Sequence, residues 1–374
     1  FELLLGEYDR LSRHIHVLVL HIDPDLTCFN EFDFLLLSFG SFQHGLYTGQ
    51  HLMNGERLGY IVISTGGKTG KKIIRITFSR QEDHRDIILD PAITQLVLYN
   101  NGIPMTEIAV GDNLITNKTI EYLIRSNRMI KVVRGITARE LYLSSQLLSK
   151  YIRLNITEQR SSIWLAQRQG RTKNGYDITE QGLLKMLDMS GTGDFQQNFE
   201  ELNIVPMSIS YEIEPCDIQK ARELVISRKH KYVKAEGEDL NSIMSGIMKQ
   251  KGNIHLNIGK PLTAEEIAAA ASCDKNDRYQ KIRHAVDLRV IEGYKLWKNN
   301  YVAYDIANHS FKYSDKYDQA DVEKFVSYME HQLDTVEPQI NREDLRRIFL
   351  DIYANPVVTK ELLEKEKATG AILL

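Results

Sequence analysis

The sequence predicts an α/β protein, a mixed central sheet flanked by helices, with helical additions at both ends. Two patterns carry this expectation. Between residues 58 and 262, short β-branched and aromatic runs alternate with stretches of helical apolar spacing, the pattern of a layered sheet-and-helix domain. Beyond it, 278–297 and 319–374 keep helical periodicity with many charges on their outer faces. The expected division is a mostly helical segment 1–57, an α/β domain 58–262 and a helical extension 263–374.

Composition narrows the function classes. The 374 residues have room for one large or two moderate domains. A formal net charge of −3 gives no global attraction to nucleic acid. The three cysteines, Cys28, Cys216 and Cys273, are far apart without CxxC spacing. That suggests a reducing compartment and neither a disulfide framework nor a zinc site. The longest apolar runs, Val17-Leu18-Val19-Leu20 and Phe34-Leu35-Leu36-Leu37, fall far short of the ~18 residues that cross a bilayer.

In chain order, residues 1–50 mix apolar clusters, histidines and a turn at Pro24, and read as helical. Tyr60-Ile61-Val62-Ile63 and Ile73-Ile74-Arg75-Ile76-Thr77-Phe78 read as a hairpin about Gly66-Gly67-Lys68-Thr69-Gly70. This turn is no phosphate-binding P-loop, because Thr65 stands where the first Gly belongs and Lys72 where Ser or Thr belongs.

Next comes Asp83-His84-Arg85-Asp86-Ile87-Ile88-Leu89-Asp90-Pro91, one histidine among three carboxylates. Asp90 is expected at the N-cap of a helix with Pro91 at its first position. Ile93, Leu96 and Val97 then continue at helical spacing. His84 thus falls at a strand-to-helix junction, a suitable place for a general base. Strands are expected at 107–110, 129–134, 162–166, 204–212 and 254–259, and helices at 137–153 and 179–188. Thr263 and Glu266 have the spacing of a capping box for a helix through the Ala268–Ala271 run.

Four polar clusters fall at the ends of these strands: His84/Asp86/Asp90, Gly111/Asn113, Arg134 and Gly170/Arg171/Lys173. Ligands of α/β sheets gather where loops from several strand ends converge. A histidine beside a carboxylate, with basic groups on separate loops, suits proton abstraction from a hydroxyl while Arg and Lys hold a phosphate. The absence of Gly-x-Ser-x-Gly weakens a serine-hydrolase reading.

In their order and spacing the four clusters resemble the glycerolipid acyltransferase family, which includes glycerol-3-phosphate and lysophosphatidate acyltransferases. The first motif of that family is a His followed by four residues and an Asp. The second is similar to Gly111-Asp112-Asn113-Leu114 with the later strand Met129-Ile130-Lys131-Val132-Val133-Arg134. The third resembles Gln169-Gly170-Arg171-Thr172-Lys173. The fourth, a Val-Pro strand, resembles Val205-Pro206-Met207-Ser208-Ile209-Ser210-Tyr211. The resemblance covers roughly 76–262.

It implies that His84 deprotonates a glycerol hydroxyl, which attacks the thioester of an acyl-CoA or acyl-carrier protein. A carboxylate would orient the imidazole. Arg134, Arg171 and Lys173 would hold the phosphate of glycerol-3-phosphate or lysophosphatidate, and Gly111, Asn113, Gln169 and Gly170 would shape the motif loops. No metal or cofactor is implied. The implied partner surface is a membrane, met peripherally from the cytoplasmic side, with Lys118, Arg125, Arg128 and Lys131 as a basic patch.

Two departures stand out. Leu89 occupies the expected Asp position, so Asp90 fits with one extra loop residue and Asp86 is its rival. Gln169 stands where the family usually has Glu, keeping shape and losing charge. Two alternatives follow, a lipid-binding member of the same fold with weak or no catalysis and a metal-dependent phosphate-ester hydrolase.

Overall fold

The computed structural model describes residues 85–86, 88–115, 121–122, 127–133, 137–159, 161–168, 172–230, 232–233 and 237–372. Of these, 57% are helical, and the protein is mixed α/β with a small parallel sheet. The expected N-terminal segment and the 58–79 hairpin lie outside the described residues.

Helix α1 (Leu89–Asn100) leads into β1 (Glu107–Gly111), a 3-10 turn at Asp112–Leu114, and β2 (Met129–Val132). Helix α2 (Ala138–Thr157) crosses back to β3 (Ile163–Trp164). The sheet order is β2-β1-β3, all parallel, with Gly111 opposite Val132 and Ile108 opposite Trp164. Parallel pairing sends the chain out of all three strands at one carboxyl edge, where loops of such sheets collect ligands.

Helices α3 (Gln181–Asp188) and α4 (Phe195–Glu200) follow, then β4 (Met207–Tyr211), α5 (Asp217–Lys229), α6 (Glu238–Met248) and β5 (Ile254–Ile258). The β4–β5 ladder is antiparallel, from Met207 opposite Ile258 to Tyr211 opposite Ile254. Among the described residues the strands therefore form two ladders, where one mixed sheet is expected from sequence. The fourth-motif strand begins after Pro206, whose missing N–H cannot join a ladder. The Pro206 carbonyl accepts instead from the Gly259 amide at 2.8 Å.

The chain ends in α7 (Ala264–Ala271), α8 (Asp277–Gly293), α9 (Lys298–Ala307), α10 (Gln319–Leu333) and α11 (Arg342–Thr369). The Thr263/Glu266 capping box forms as the spacing predicts, and Thr137/Glu140 make a second one at the head of α2. One apolar core joins Ile152 and Ile156 of α2, Ile163 of β3, Leu184 of α3 and Phe199 of α4 to Ile267, Ile282 and Val286 of α7 and α8. A second joins Ile218 and Val225 of α5 to Phe325, Phe349 and Tyr353 of the last helices. The packing thus runs across residue 262, and the C-terminal helices are a layer on the α/β elements. Strand β4 is buried along its length. Ile209 and Tyr211 pack on Leu89, Ile93 and Val97 of α1, which fixes the start of α1 against the end of β4.

Candidate functional site

The start of α1 is built differently from the sequence expectation. The helix begins at Leu89, with Ile88 at the N-cap and no capping side chain from that residue. Asp90 is inside the first turn, and Asp86 does the capping: its Oδ1 accepts from the Ile88 amide at 3.0 Å and the Leu89 amide at 2.9 Å. The sequence reading placed the cap at Asp90 because Pro91 suits a first helical position. Pro91 also fits as the third helical residue, where a backbone N–H would still lack a helical partner.

Asp90 is buried and turns its carboxylate back over the preceding loop. Its Oδ2 accepts from the Arg85 amide at 2.7 Å and the Asp86 amide at 2.9 Å. Its Oδ1 accepts from the Tyr211 hydroxyl at 2.6 Å. The segment directly after His84 is therefore stapled to the last residue of the fourth-motif strand. Burial, with the Asp90 charge beside it, pushes the Asp86 carboxyl above its ordinary range, and burial with both carboxylates nearby pushes up the Tyr211 phenol.

Arg85 extends the assembly. Its side chain is only 1% exposed, stacks 4.8 Å from the ring centroid of Tyr294, and forks between Glu214 Oε2 at 2.8 Å and Asp177 Oδ2 at 2.9 Å. Lys220 of α5 donates to Glu214 Oε1 at 2.6 Å and to the Arg85 carbonyl at 3.0 Å. Two cations thus meet two carboxylates, so the buried charges balance. Farther in, the Tyr353 hydroxyl accepts from the Glu214 amide at 3.0 Å and donates to Asp217 at 2.7 Å, and Tyr328 donates to the same oxygen at 2.8 Å. The layer of C-terminal helices therefore braces this network through α10 and α11.

The loop after β3 is held on the other side. Asn355 of α11 donates to the Asn174 carbonyl at 2.6 Å. Gly175 adopts φ +76°, and a Cβ there would lie 2.4 Å from the Ile352 carbonyl oxygen. That carbonyl is the one whose usual helical donor is missing, since residue 356 of α11 is Pro356. Lys173 pairs with Glu223 of α5 and is one-third exposed. Its charge is met by a carboxylate, so a phosphate would have to take it over from Glu223.

Helix α6 closes the Asp86 side. A Cβ on Gly246 would fall 2.1 Å from Asp86 Oδ2, which leaves no room for a side chain. Gly246→Ala is expected to displace the Asp86 carboxylate from its two amide donors and to destabilise the fold by about 1–3 kcal/mol. Urea unfolding at neutral pH reads this, and an unchanged midpoint would refute the close approach. Lys251, buried nearby, has its amine pushed down to about 8 by burial, against the opposing pull of Asp86, Cys216 and Asp217.

Of the residues proposed from sequence, the structure brings Asp86 and Asp90 into one buried cluster. It places Gly111 at the carboxyl end of β1 and Lys173 on the loop after β3. Asn113 lies in the 3-10 turn that follows Gly111. His84, Arg134, Gln169, Gly170 and Arg171 lie outside the described residues. The sequence reading gave no role to Arg85, Asp177, Tyr211, Glu214, Lys220 or Asp217. Tyr211 stood inside the fourth motif and Arg85 inside the stretch about His84. The rest are charged residues in polar stretches, and no local pattern separates a buried ion from a solvated one.

Among the described residues, no group of three His, Cys, Asp or Glu side chains is arranged to hold a metal ion, and no helix is long and apolar enough to cross a membrane. No family model and no curated protein matches the chain.

Proposed function

We propose that the protein is an acyltransferase of the glycerolipid type, moving a fatty acyl group from an acyl-CoA or acyl-carrier-protein thioester to glycerol-3-phosphate or its 1-acyl form. The observation that carries this reading is the convergence about residues 85–90. Asp90 is fixed by the Tyr211 hydroxyl from the fourth-motif strand, and Arg85 is fixed by Asp177 from the loop that follows the third motif. Segments far apart in sequence are thereby tied to Arg85 and Asp90, which follow His84 in the chain.

In this reading His84 takes the proton from the acceptor hydroxyl, and the oxygen attacks the thioester carbonyl. The tetrahedral intermediate collapses with cleavage of the C–S bond, and the departing thiolate receives the proton from His84. Asp90 orients the imidazole and stabilises its charged form. Its rigid anchoring holds that geometry before substrate arrives. Asp86 sets the first turn of α1, while Arg134, Arg171 and Lys173 hold the acceptor phosphate. The acyl substrates partition into lipid, so the enzyme works at the inner membrane surface as a peripheral protein in phospholipid synthesis.

The test is free-thiol release from palmitoyl-CoA with glycerol-3-phosphate or lysophosphatidate as acceptor. Acceptor-dependent release is expected for the wild type and background release for His84→Ala. A folded wild type that releases no thiol with either acceptor, from either palmitoyl-CoA or a palmitoylated carrier protein, would overturn the proposal.

A further inference from the structure

The β4–β5 ladder has one apolar face and one polar face. Residues directly opposite each other in a ladder point to the same side. Ile209 with Leu256 and Tyr211 with Ile254 therefore turn toward α1, while Ser208 with Asn257 and Ser210 with His255 turn the other way. Both serines are sealed from solvent, at 1% and 0% exposure, and neither hydroxyl has a hydrogen-bond partner among the described residues. A buried hydroxyl without a partner costs stability, and here two stand side by side on one strand.

Gly293, the last residue of α8, lies over this face. A Cβ there would fall 2.0 Å from Asn257 Nδ2 and 2.8 Å from Ser208 Oγ, so both polar atoms border the same point of the helix end. Glycine leaves that point free. Gly293, His255 and Asn257 are half-buried and the serines fully buried, so the polar groups lead from the surface inward.

The charges felt on this face are positive. Burial, and then the ammonium groups of Lys295 and Lys360, push the His255 imidazole down, against a hydrogen bond to the Gly293 carbonyl. Neither lysine has a carboxylate at ion-pair distance among the described residues, since Glu292 and Glu364 pair with Lys367 at 3.1 and 3.6 Å. Glu212, next beyond β4 on the same side, is turned to the Asn253 amide at 2.9 Å. The last carbonyls of α8, negative by the helix dipole, are met by Lys360, which donates to Glu292 at 2.9 Å, and by His255 at Gly293. A bound water would satisfy a hydroxyl, but it gives these cations no partner. Hydroxyl, amide and ammonium donors together suit a compact oxyanion with several acceptor oxygens.

We propose that the polar face of the β4–β5 ladder is a phosphate-binding site: Ser208, Ser210 and Asn257 donate to the oxygens of inorganic phosphate or a phosphate monoester, and Lys295 and Lys360 balance its charge. The site lies on the side of β4 away from α1 and Asp90. It is separate from the acyl-transfer site and does not rest on that reading.

The test follows the His255 ring by NMR in the full chain labelled at histidine, its signal assigned with His255→Gln. Inorganic phosphate, methyl phosphate, glycerol and sodium chloride at matched ionic strength are titrated in turn. Wild type is expected to show a saturable shift with inorganic phosphate, and none with glycerol or chloride. A response to inorganic phosphate alone supports a closed ion site, and a response to methyl phosphate as well supports a site for phosphate carried on a larger molecule. Ser210→Ala and Gly293→Ala are each expected to weaken binding about tenfold or more. Because Ser210→Ala removes an unpartnered hydroxyl, it is expected to unfold without phosphate at the same or a higher urea concentration than wild type.

Phosphates that shift the ring no more than chloride does, or that bind both variants as tightly as wild type, would overturn the proposal. So would saturation by glycerol and not by phosphate, which would assign the face to a neutral polyol. A lower urea midpoint for Ser210→Ala would show that the fold itself uses this hydroxyl, and would overturn the proposal as well.

Discussion

Arg85→Met is expected to destabilise the fold by about 3–5 kcal/mol, because it removes one partner from a buried charge network and leaves the others in place. Methionine fills much of the volume and can still pack on Tyr294, so the loss is mainly electrostatic. The effect should fall most heavily on Asp177. Its Oδ2 has Arg85 as its partner at 2.9 Å, and its Oδ1, buried, has no hydrogen-bond donor. Glu214 retains Lys220 on its other oxygen at 2.6 Å and is affected less. The cost should therefore be partly recovered by Asp177→Asn in the Arg85→Met background, and much less by Glu214→Gln, which would leave Lys220 without its carboxylate. Arg85→Lys should fall between, since the shorter side chain keeps the charge but lacks the planar fork that reaches both carboxylates at once. Urea unfolding of the singles and doubles at neutral pH measures these couplings. Additive single and double effects would show that Arg85 and Asp177 are not energetically paired.

The same residues show what could and could not be read in the sequence. Strands β1 and β3, the Thr263 capping box and the alternation of strand with helix up to β4 follow from local pattern, because apolar period and cap chemistry are local properties. Helices α5 and α6 were not foreseen. In α5 the buried set includes Asp217 and Lys220 beside Ile218, Ala221 and Val225, so the apolar stripe is broken by charges that are satisfied only in three dimensions. For the same reason Asp90 read as a helix cap. A carboxylate next to a proline signals a helix start, but which of Asp86 and Asp90 turns inward depends on Tyr211, 121 positions further on. The resemblance to an acyltransferase points to the stretch 84–90 and leaves open how it is held. Arg85, Glu214 and Lys220 supply that hold, and they lie between or beyond the motif positions. Motif spacing and buried ion pairs carry different signals, and only the first is visible in a single sequence.

The loop that bears Lys173 and Asp177 is tied at its far end in a pH-dependent way. Thr179 donates its amide to Asp287 Oδ1 of α8 at 3.0 Å, and its hydroxyl donates to the same oxygen. Arg283 approaches the other oxygen at 3.8 Å. Burial nevertheless pushes the Asp287 carboxyl up to about 7, with the Thr179 hydrogen bonds and Arg283 only partly opposing it. A carboxyl raised in this way binds its proton more tightly in the folded chain than in the unfolded one. Its stabilising contribution is full below the ordinary carboxylate value of 3.8 and is lost as pH rises through about 7. Asp287→Asn keeps an oxygen for Thr179 and cannot ionise, so its stability carries no such dependence. Relative to wild type, the variant should gain stability steadily between about pH 4 and 7 and hold the gain above that, by up to about 4 kcal/mol at about 1.4 kcal/mol per pKa unit. Urea unfolding of both proteins across this range reads the difference directly. A difference that stays constant with pH would show that Asp287 is ionised throughout, its charge carried by Thr179 and Arg283. If instead the difference rises, the wild-type loop is anchored by a protonated acid on the low-pH side. It would then loosen as pH climbs through 7, at the end of the loop opposite to the Arg85 fork, so that Asp177 keeps its place while the Thr179 end opens.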